Sequence, residues 1–352
     1  MFRKNTESIL QRNIEFAESD VNKGTLLHIL AIEGYEGNCV KPLEQWRFPD
    51  EMCEYLDACI ERDCEKWMFR DFLDDDTLPT MKPYFGISIH SAFIGGDVKF
   101  GGNTSYHVPV IKNWDSLDSL TLKEDNLYLQ LLLNAMRYLQ KKSYSYGFFL
   151  SLRGGDSPMD IANALRGNDL FLDFYDDNIQ VHRLMDFCVK AAKWTWKHQV
   201  EITGILEGGR ITGQAVWLPG NAIGHLSEDA SSMCSVDIYE EFGQPYTQRL
   251  LNDYDTAIMH VHTKGRHQLP SISKLEGIKF IQLEYDPGEP SPIEVYKENI
   301  DILKDKIVIP IMTTEEIAEN MDFLSNHKQI IQVYAKSLSD AEKAVNLVKL
   351  LR

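Results

Sequence analysis

The last third of the chain sets the tightest limit on the fold. Four β-rich apolar runs, Ala257–His262, Ile278–Glu284, Ile307–Met312 and Gln329–Tyr334, are each followed by a stretch of helical periodicity. These are a short one near Ser271–Leu275, then Pro292–Lys304, Thr314–Ser325 and Asp340–Leu351. Strands alternating with helices make parallel βα units joined by right-handed crossovers. Thr313-x-x-Glu316 and Ser339-x-x-Glu342 read as capping boxes that open two of the helices.

Upstream the alternation continues with longer insertions. Thr25–Glu33 reads as a first strand, followed by a helix over Glu51–Trp67 and a short second strand near Met68–Leu73. Tyr146–Leu152 reads as a third strand, before a long helical region from Pro158 to Val200. In that region Val181, Leu184, Met185, Cys188 and Ala192 form an apolar stripe, with Asp177 or Asn178 as N-cap. Gly224–Ala230 makes a fourth strand, leading to a helix over Val236–Asn252. Eight strands with intervening helices predict a (β/α)8 barrel in a single domain spanning residues 1–352. Tyr84–Ile111, rich in glycine and β-formers, is expected as a hairpin-rich insertion between strands two and three.

Charge and composition narrow the function. A net charge of −17 argues against a nucleic-acid binder, which needs clustered Lys and Arg. No apolar run approaches the roughly 18 residues of a membrane span, and the first residues lack a secretory pattern, so a cytoplasmic location is expected. The six cysteines fit reduced thiols. Cys53 and Cys64 fall on a helical stripe with Leu56, Ile60 and Trp67 and read as core residues rather than zinc ligands. Neither the glycines of Tyr84–Ile111 nor those of EGGRITG (Glu207–Gly213) match a phosphate loop, and no nucleophile elbow is present.

In such barrels the active site gathers at the C-terminal strand ends, so polar residues there carry the chemistry. Strand four ends in Glu228-Asp229, strand five in His260-x-His262 and strand six in Glu284-x-Asp286. Alternate strand residues face one side, so His260 and His262 point the same way. Two imidazoles with a neighbouring carboxylate make a catalytic zinc or iron site with an open position. His260, His262, Glu284 and Glu228 are therefore candidate metal ligands, and Asp229, Glu33 and Glu36 candidate substrate-binding residues. Asp75 and Asp76 after strand two, Arg153 after strand three and Lys264 after strand five are candidate catalytic residues. A metal-free catalytic role and a purely structural role for the histidines stay open at this level.

Three stretches resemble the uroporphyrinogen decarboxylase superfamily, which also contains cobalamin-dependent methyltransferases. They are SPMDIANALRGNDLFLDFYDDNIQVHRLMDFC (157–188), SEDASSMCSVDIYEEFGQPYTQRL (227–250), and the His260 segment with Ile278–Asp286. The likeness spans residues 145–352, with weaker agreement at DDDTLP and in Pro109–Leu120, and implies a (β/α)8 barrel. The decarboxylases carry an Arg-Gln-Ala-Gly-Arg motif after strand one. This chain has AIEGYEGN there, so Glu33 and Glu36 would repel a polycarboxylate porphyrinogen. The thiol methyltransferases bind zinc through His-x-Cys on strand five and a cysteine near strand eight. Here His260 matches the histidine, His262 stands at the cysteine position, and QIIQVYAK (329–336) has no cysteine. Glu284 or the Glu228-Asp229 pair would complete a harder nitrogen and oxygen site.

The resemblance implies transfer of a methyl group between a small substrate and a corrinoid (cobalamin) held by a partner protein, assisted by zinc. A homodimer is compatible with it. The alternatives are decarboxylation of a small acid and ligand binding without turnover.

Overall fold

The computed structural model describes residues 2–88 and 92–352. Residues 89–91, inside the expected Tyr84–Ile111 insertion, lie outside the described set.

In chain order the strands are β1 Gly24–Ile32, β2 Thr80–Met81, β3 Asp97–Gly101, β4 Thr104–Val108, β5 Phe149–Leu150, β6 Gly155–Asp156, β7 Gly209–Ile211, β8 Trp217–Pro219, β9 Ala222–Ser227, β10 Thr256–His262, β11 Ile278–Glu284, β12 Ile307–Pro310 and β13 Lys328–Ala335. Seven of them form one parallel sheet in the order β1-β13-β12-β11-β10-β9-β6. β2 and β5 form a separate parallel pair beside it. The segment ahead of β2 reaches the β1 edge, where the Asp76 N–H donates to Leu27 O at 2.8 Å. The molecule is thus a mixed α/β fold around a parallel sheet.

One face of the sheet is covered by helices. The other carries a separate apolar cluster, in which Leu26, Ile258, Phe280, Ile309 and Ile330 come from five strands. The antiparallel β7–β8 hairpin contributes Val216 and Leu218 to that cluster. On its other side Ile211, Ala215 and Trp217 pack on Ile9, Leu10 and Ile14 of the Thr6–Glu18 helix. Helix and hairpin therefore seal the helix-free face near the strand N-termini. Because side chains alternate along a strand, His28, His260, Gln282 and Gln332 sit on the same face, one step above this layer.

The structure moves several sequence-predicted elements. Met68–Leu73 is not a strand: the helix runs over Met52–Arg70, and the second strand is Thr80–Met81. Met68, Phe69 and Phe72 are exposed, and of the apolar residues in this run only Leu73 is core. Only Phe149–Leu150 of the third run is extended, because Leu127–Tyr146 is one helix ending on Gly147 in the left-handed region. The fourth strand ends at Ser227, and Asp229–Met233 form a 3-10 turn. Thr313 and Glu316 make the expected capping box, and Ser291 with Glu294 makes another. The last helix is capped instead by Ser337, whose hydroxyl accepts from the Asp340 N–H. Cys53 is exposed rather than in the core, while Cys59 is buried, and all six thiols are free. Within the insertion β3 and β4 pair as the expected hairpin. Among the described residues, no helix is long and apolar enough to cross a membrane.

Candidate functional site

The parallel register sets His260 against Gln282 and His262 against Glu284. Both histidines point to the helix-free side, with ring centroids 4.7 Å apart and planes at 88°. Asp229 comes to them on the turn that follows β9. One ligand atom each from Asp229, His260 and His262 lies within 4.8 Å of the others. The carboxylate joining the histidines is thus Asp229, expected as a substrate contact, rather than Glu228 or Glu284.

Each imidazole is oriented by an acceptor on its far nitrogen. His260 Nδ1 lies 2.8 Å from Gln282 Oε1, and His262 Nδ1 lies 3.0 Å from Asp286 Oδ1. The Gln282 amide nitrogen donates to Gln332 Oε1 at 2.5 Å, so its oxygen is the atom facing His260. An amide oxygen and a carboxylate only accept, so each Nδ1 donates, and in the neutral ring Nε2 is the atom that carries the lone pair. That is how metal-binding histidines are commonly held. Burial, more than any neighbouring charge, lowers the His260 pKa and keeps the ring neutral. The donor set of two imidazole nitrogens and one carboxylate oxygen therefore fits zinc or another borderline divalent ion.

The turn carrying Asp229 is fixed from behind by Asp160, on the Pro158–Arg166 helix. Asp160 Oδ2 accepts from Ser227 Oγ at 2.6 Å and from the Asp229 N–H at 3.0 Å, while Oδ1 accepts from the Ala230 N–H at 2.8 Å. Burial, then Asp229 and Glu228, push the Asp160 carboxyl well above its usual range. Glu228 is buried and committed to other partners. It accepts from Thr247 Oγ1 at 2.6 Å, Ser157 Oγ at 2.9 Å and Tyr239 OH at 3.3 Å, and burial raises its pKa to about 7.

Glu284 is half-buried, and burial raises its carboxyl pKa. It lines a neighbouring groove of about 550 Å³ with Tyr285, Met312 and Tyr334. Glu33 and Glu36 are exposed beyond β1, where Glu36 Oε1 accepts from the Gly34 N–H at 2.9 Å. The Lys264 side chain is also exposed, and its main-chain N–H donates to Asp286 Oδ2 at 3.0 Å.

Asp75 and Asp76 are not at the site. Both are fully buried beside the first half of β1. Asp76 Oδ2 accepts from the Leu27 N–H at 2.9 Å, and Asp75 Oδ2 from the Ile29 N–H at 3.3 Å. Asp75 pairs with Arg3 at 2.6 Å and with Arg70, and Asp76 pairs with Arg12 at 2.8 Å and with Arg352. The two carboxylates are held by four guanidinium groups, and neither joins the group of Asp229, His260 and His262.

Arg153 is buried, with its N–H donating to Gln199 Oε1 at 3.0 Å and its guanidinium to Gly86 O. Sequence reasoning missed His225, whose ring lies 4.5 Å from that of His260, as well as Asp160. A histidine at the end of the fourth strand was a readable signal. Asp160, inside a helical pattern, was not.

No family model matches the chain, and no curated protein matches it. Among solved structures it is similar to a methyltransferase from Methanosarcina mazei, at 12% identity over 98% of this chain and 97% of that one, with a TM-score of 0.62. At that identity the likeness establishes a shared fold.

Proposed function

We propose that the chain is a methyltransferase built on one closed (β/α)8 barrel of the uroporphyrinogen decarboxylase type, moving a methyl group between a small substrate and a corrinoid carried by a partner protein. The observation that carries this reading is the convergence of Asp229, His260 and His262 within 4.8 Å at the ends of adjacent strands. The shared fold with a methyltransferase supports it. Closure is supported by the Asp76 to Leu27 bond at one edge and by β5 running on into β6 at the other.

Asp229, His260 and His262 would hold the metal, and Gln282, Asp286 and Asp160 set their orientation. A bound divalent ion supplies Lewis acidity toward an oxygen, nitrogen or sulfur of the substrate. The Nδ1 acceptors fix the orientation of both rings and leave Nε2 as the atom of each that would coordinate. Glu33 and Glu36, exposed beyond β1, disfavour a polycarboxylate such as uroporphyrinogen. The arginines that hold Asp75 and Asp76 favour this reading over metal-free decarboxylation by either carboxylate with Arg153.

The test pairs metal analysis with turnover. Protein purified without chelators should contain metal, and His260→Ala should lose it. Wild type should consume methylcobalamin in the presence of one member of a panel of thiols, or methylate the reduced corrinoid from methanol or a methylamine. Failure with every donor and acceptor in the panel, in metal-loaded and folded protein, would sink the reading.

A further inference from the structure

The groove that Glu284 lines lies over the ends of β11, β12 and β13. Phe280, Ile309 and Ile330 mark the helix-free side of these strands, as Ile258 does for β10. Side chains alternate, so Glu284, four positions beyond Phe280, and Tyr334, four beyond Ile330, share the side and tier of His262. Ile311, just past β12, lies on the stave between them and pairs with Gln332. The register of Glu284 with His262 sets groove and histidines on adjacent strands, whose backbones run about 4.8 Å apart. At about 550 Å³ the groove has the size of a small-molecule site.

Its charge is one-sided. Four carboxylates line it, and among the described residues no lysine or arginine does. Three of the four are committed to the protein. Glu289 pairs with Arg266, Glu294 accepts from the Ser291 N–H at 2.8 Å, and Glu316 accepts from the Thr313 N–H at 2.7 Å. Glu284 is half-buried, and among the described residues no cation pairs with it. Asp229, not Glu284, joins the histidines, so the metal group does not claim this carboxylate either. A desolvated carboxylate without a counter-ion is costly, and a bound cation offsets that cost.

The rest of the lining selects among cations. Tyr285 and Tyr334 are 48% and 56% exposed, while Ile311, Met312 and Pro292 give a buried apolar floor. A metal ion needs several oxygen or nitrogen ligands, and among the described residues no such group includes Glu284. A primary ammonium would give up hydration to walls that return few hydrogen bonds. A methylated ammonium gives up little, because its charge is spread over methyl groups that pack on apolar and aromatic surface.

We propose that this groove binds the methylated ammonium group of a small cationic substrate, with Glu284 as its counter-ion and Tyr285 and Tyr334 as its aromatic walls. It deepens the methyltransferase reading and rests on it only for what the substrate undergoes at Asp229, His260 and His262. The exposed Glu33 and Glu36, which disfavour a polycarboxylate, favour the approach of a cation.

The experiment is a calorimetric titration of the purified protein, without any corrinoid, with three probes. They are choline, its neutral counterpart dimethylbutanol, in which carbon replaces the nitrogen, and ethanolamine, which lacks the methyl groups. Choline should bind, and each of the other two should bind about tenfold more weakly or worse. Glu284→Gln should lose about tenfold in choline affinity, and Tyr334→Leu about threefold or more. Glu315→Gln, which removes an exposed carboxylate paired with Lys336 outside the groove, should keep it. His260→Ala should bind choline at least as well as wild type, which separates the groove from the metal group. Wild type that fails to bind choline, or binds either other probe equally well, overturns the proposal even if no variant folds. So does choline affinity unchanged in folded Glu284→Gln, or lost in His260→Ala. Because no corrinoid is present and no turnover is read, failure of the methyltransferase reading leaves this result standing, and the converse also holds.

Discussion

His262 Nδ1 lies 3.0 Å from Asp286 Oδ1, and the second oxygen of that carboxylate accepts from the Lys264 main-chain N–H at 3.0 Å. Asp286 N–H in turn donates to Thr263 Oγ1 at 3.0 Å. One aspartate beyond β11 therefore fixes both the ring at the end of β10 and the turn that follows it. Asp286→Ala should weaken metal binding by about 10- to 100-fold, the usual effect of removing such a partner. Asp286→Asn should lose less, because its amide oxygen still accepts. Competition titration with a chelating dye measures this, and unchanged affinity in the alanine variant would mean that Asp286 does not position a ligand.

His260→Ala and His262→Ala should each lose metal while remaining folded. Both rings face the site and not the apolar layer, which is made by Leu26, Ile258, Phe280, Ile309 and Ile330. In wild type, metal affinity should fall as the medium is acidified, because protons compete for the imidazole nitrogens. Elemental analysis of the three proteins and circular dichroism decide the matter. Equal, negligible metal in all three would reduce the histidines to structural residues.

His28 gives stability its own pH dependence. Burial is the main cause that lowers its pKa from 6.5 to about 4. Between those values the unfolded chain binds a proton that the native protein does not. Stability should therefore fall as pH drops from about 6.5 toward 4, by about 3 kcal/mol in total, and this contribution should level off below. Urea denaturation across that interval should show the slope, and His28→Asn should flatten it. A variant with the wild-type slope would assign the effect elsewhere.

Asp76→Ala should be among the most destabilising single changes. It leaves Arg12 and Arg352 without their shared carboxylate and the Leu27 N–H without its acceptor. Breaking a buried pair of this kind costs about 3–5 kcal/mol. Metal content per folded molecule should stay at the wild-type level, because Asp76 is bonded to the first half of β1 and to arginines rather than to the histidines. A folded, metal-free Asp76→Ala protein would contradict the structural assignment.

The strand and helix alternation of the last third, the Tyr84–Ile111 hairpin and the facing of His260 and His262 were legible in the sequence. Each is a local property: a two-residue or helical period, a turn signal, a run length. The same local logic misplaced the second strand, because Met68, Phe69 and Phe72 are apolar but exposed. It put Asp75 and Asp76 at the site because adjacency to a strand end is visible in a sequence, whereas the four arginines that claim them come from positions 3, 12, 70 and 352. The choice among carboxylates was also tertiary. Glu228 and Asp229 are neighbours, yet Ser157, Tyr239 and Thr247 bind the first, while Asp160 turns the second toward the histidines. Periodicity determines which side of an element a residue faces. Which buried charge meets which partner is decided only when distant segments close on it, because the cost of leaving a charge unpaired is set by the assembled surroundings.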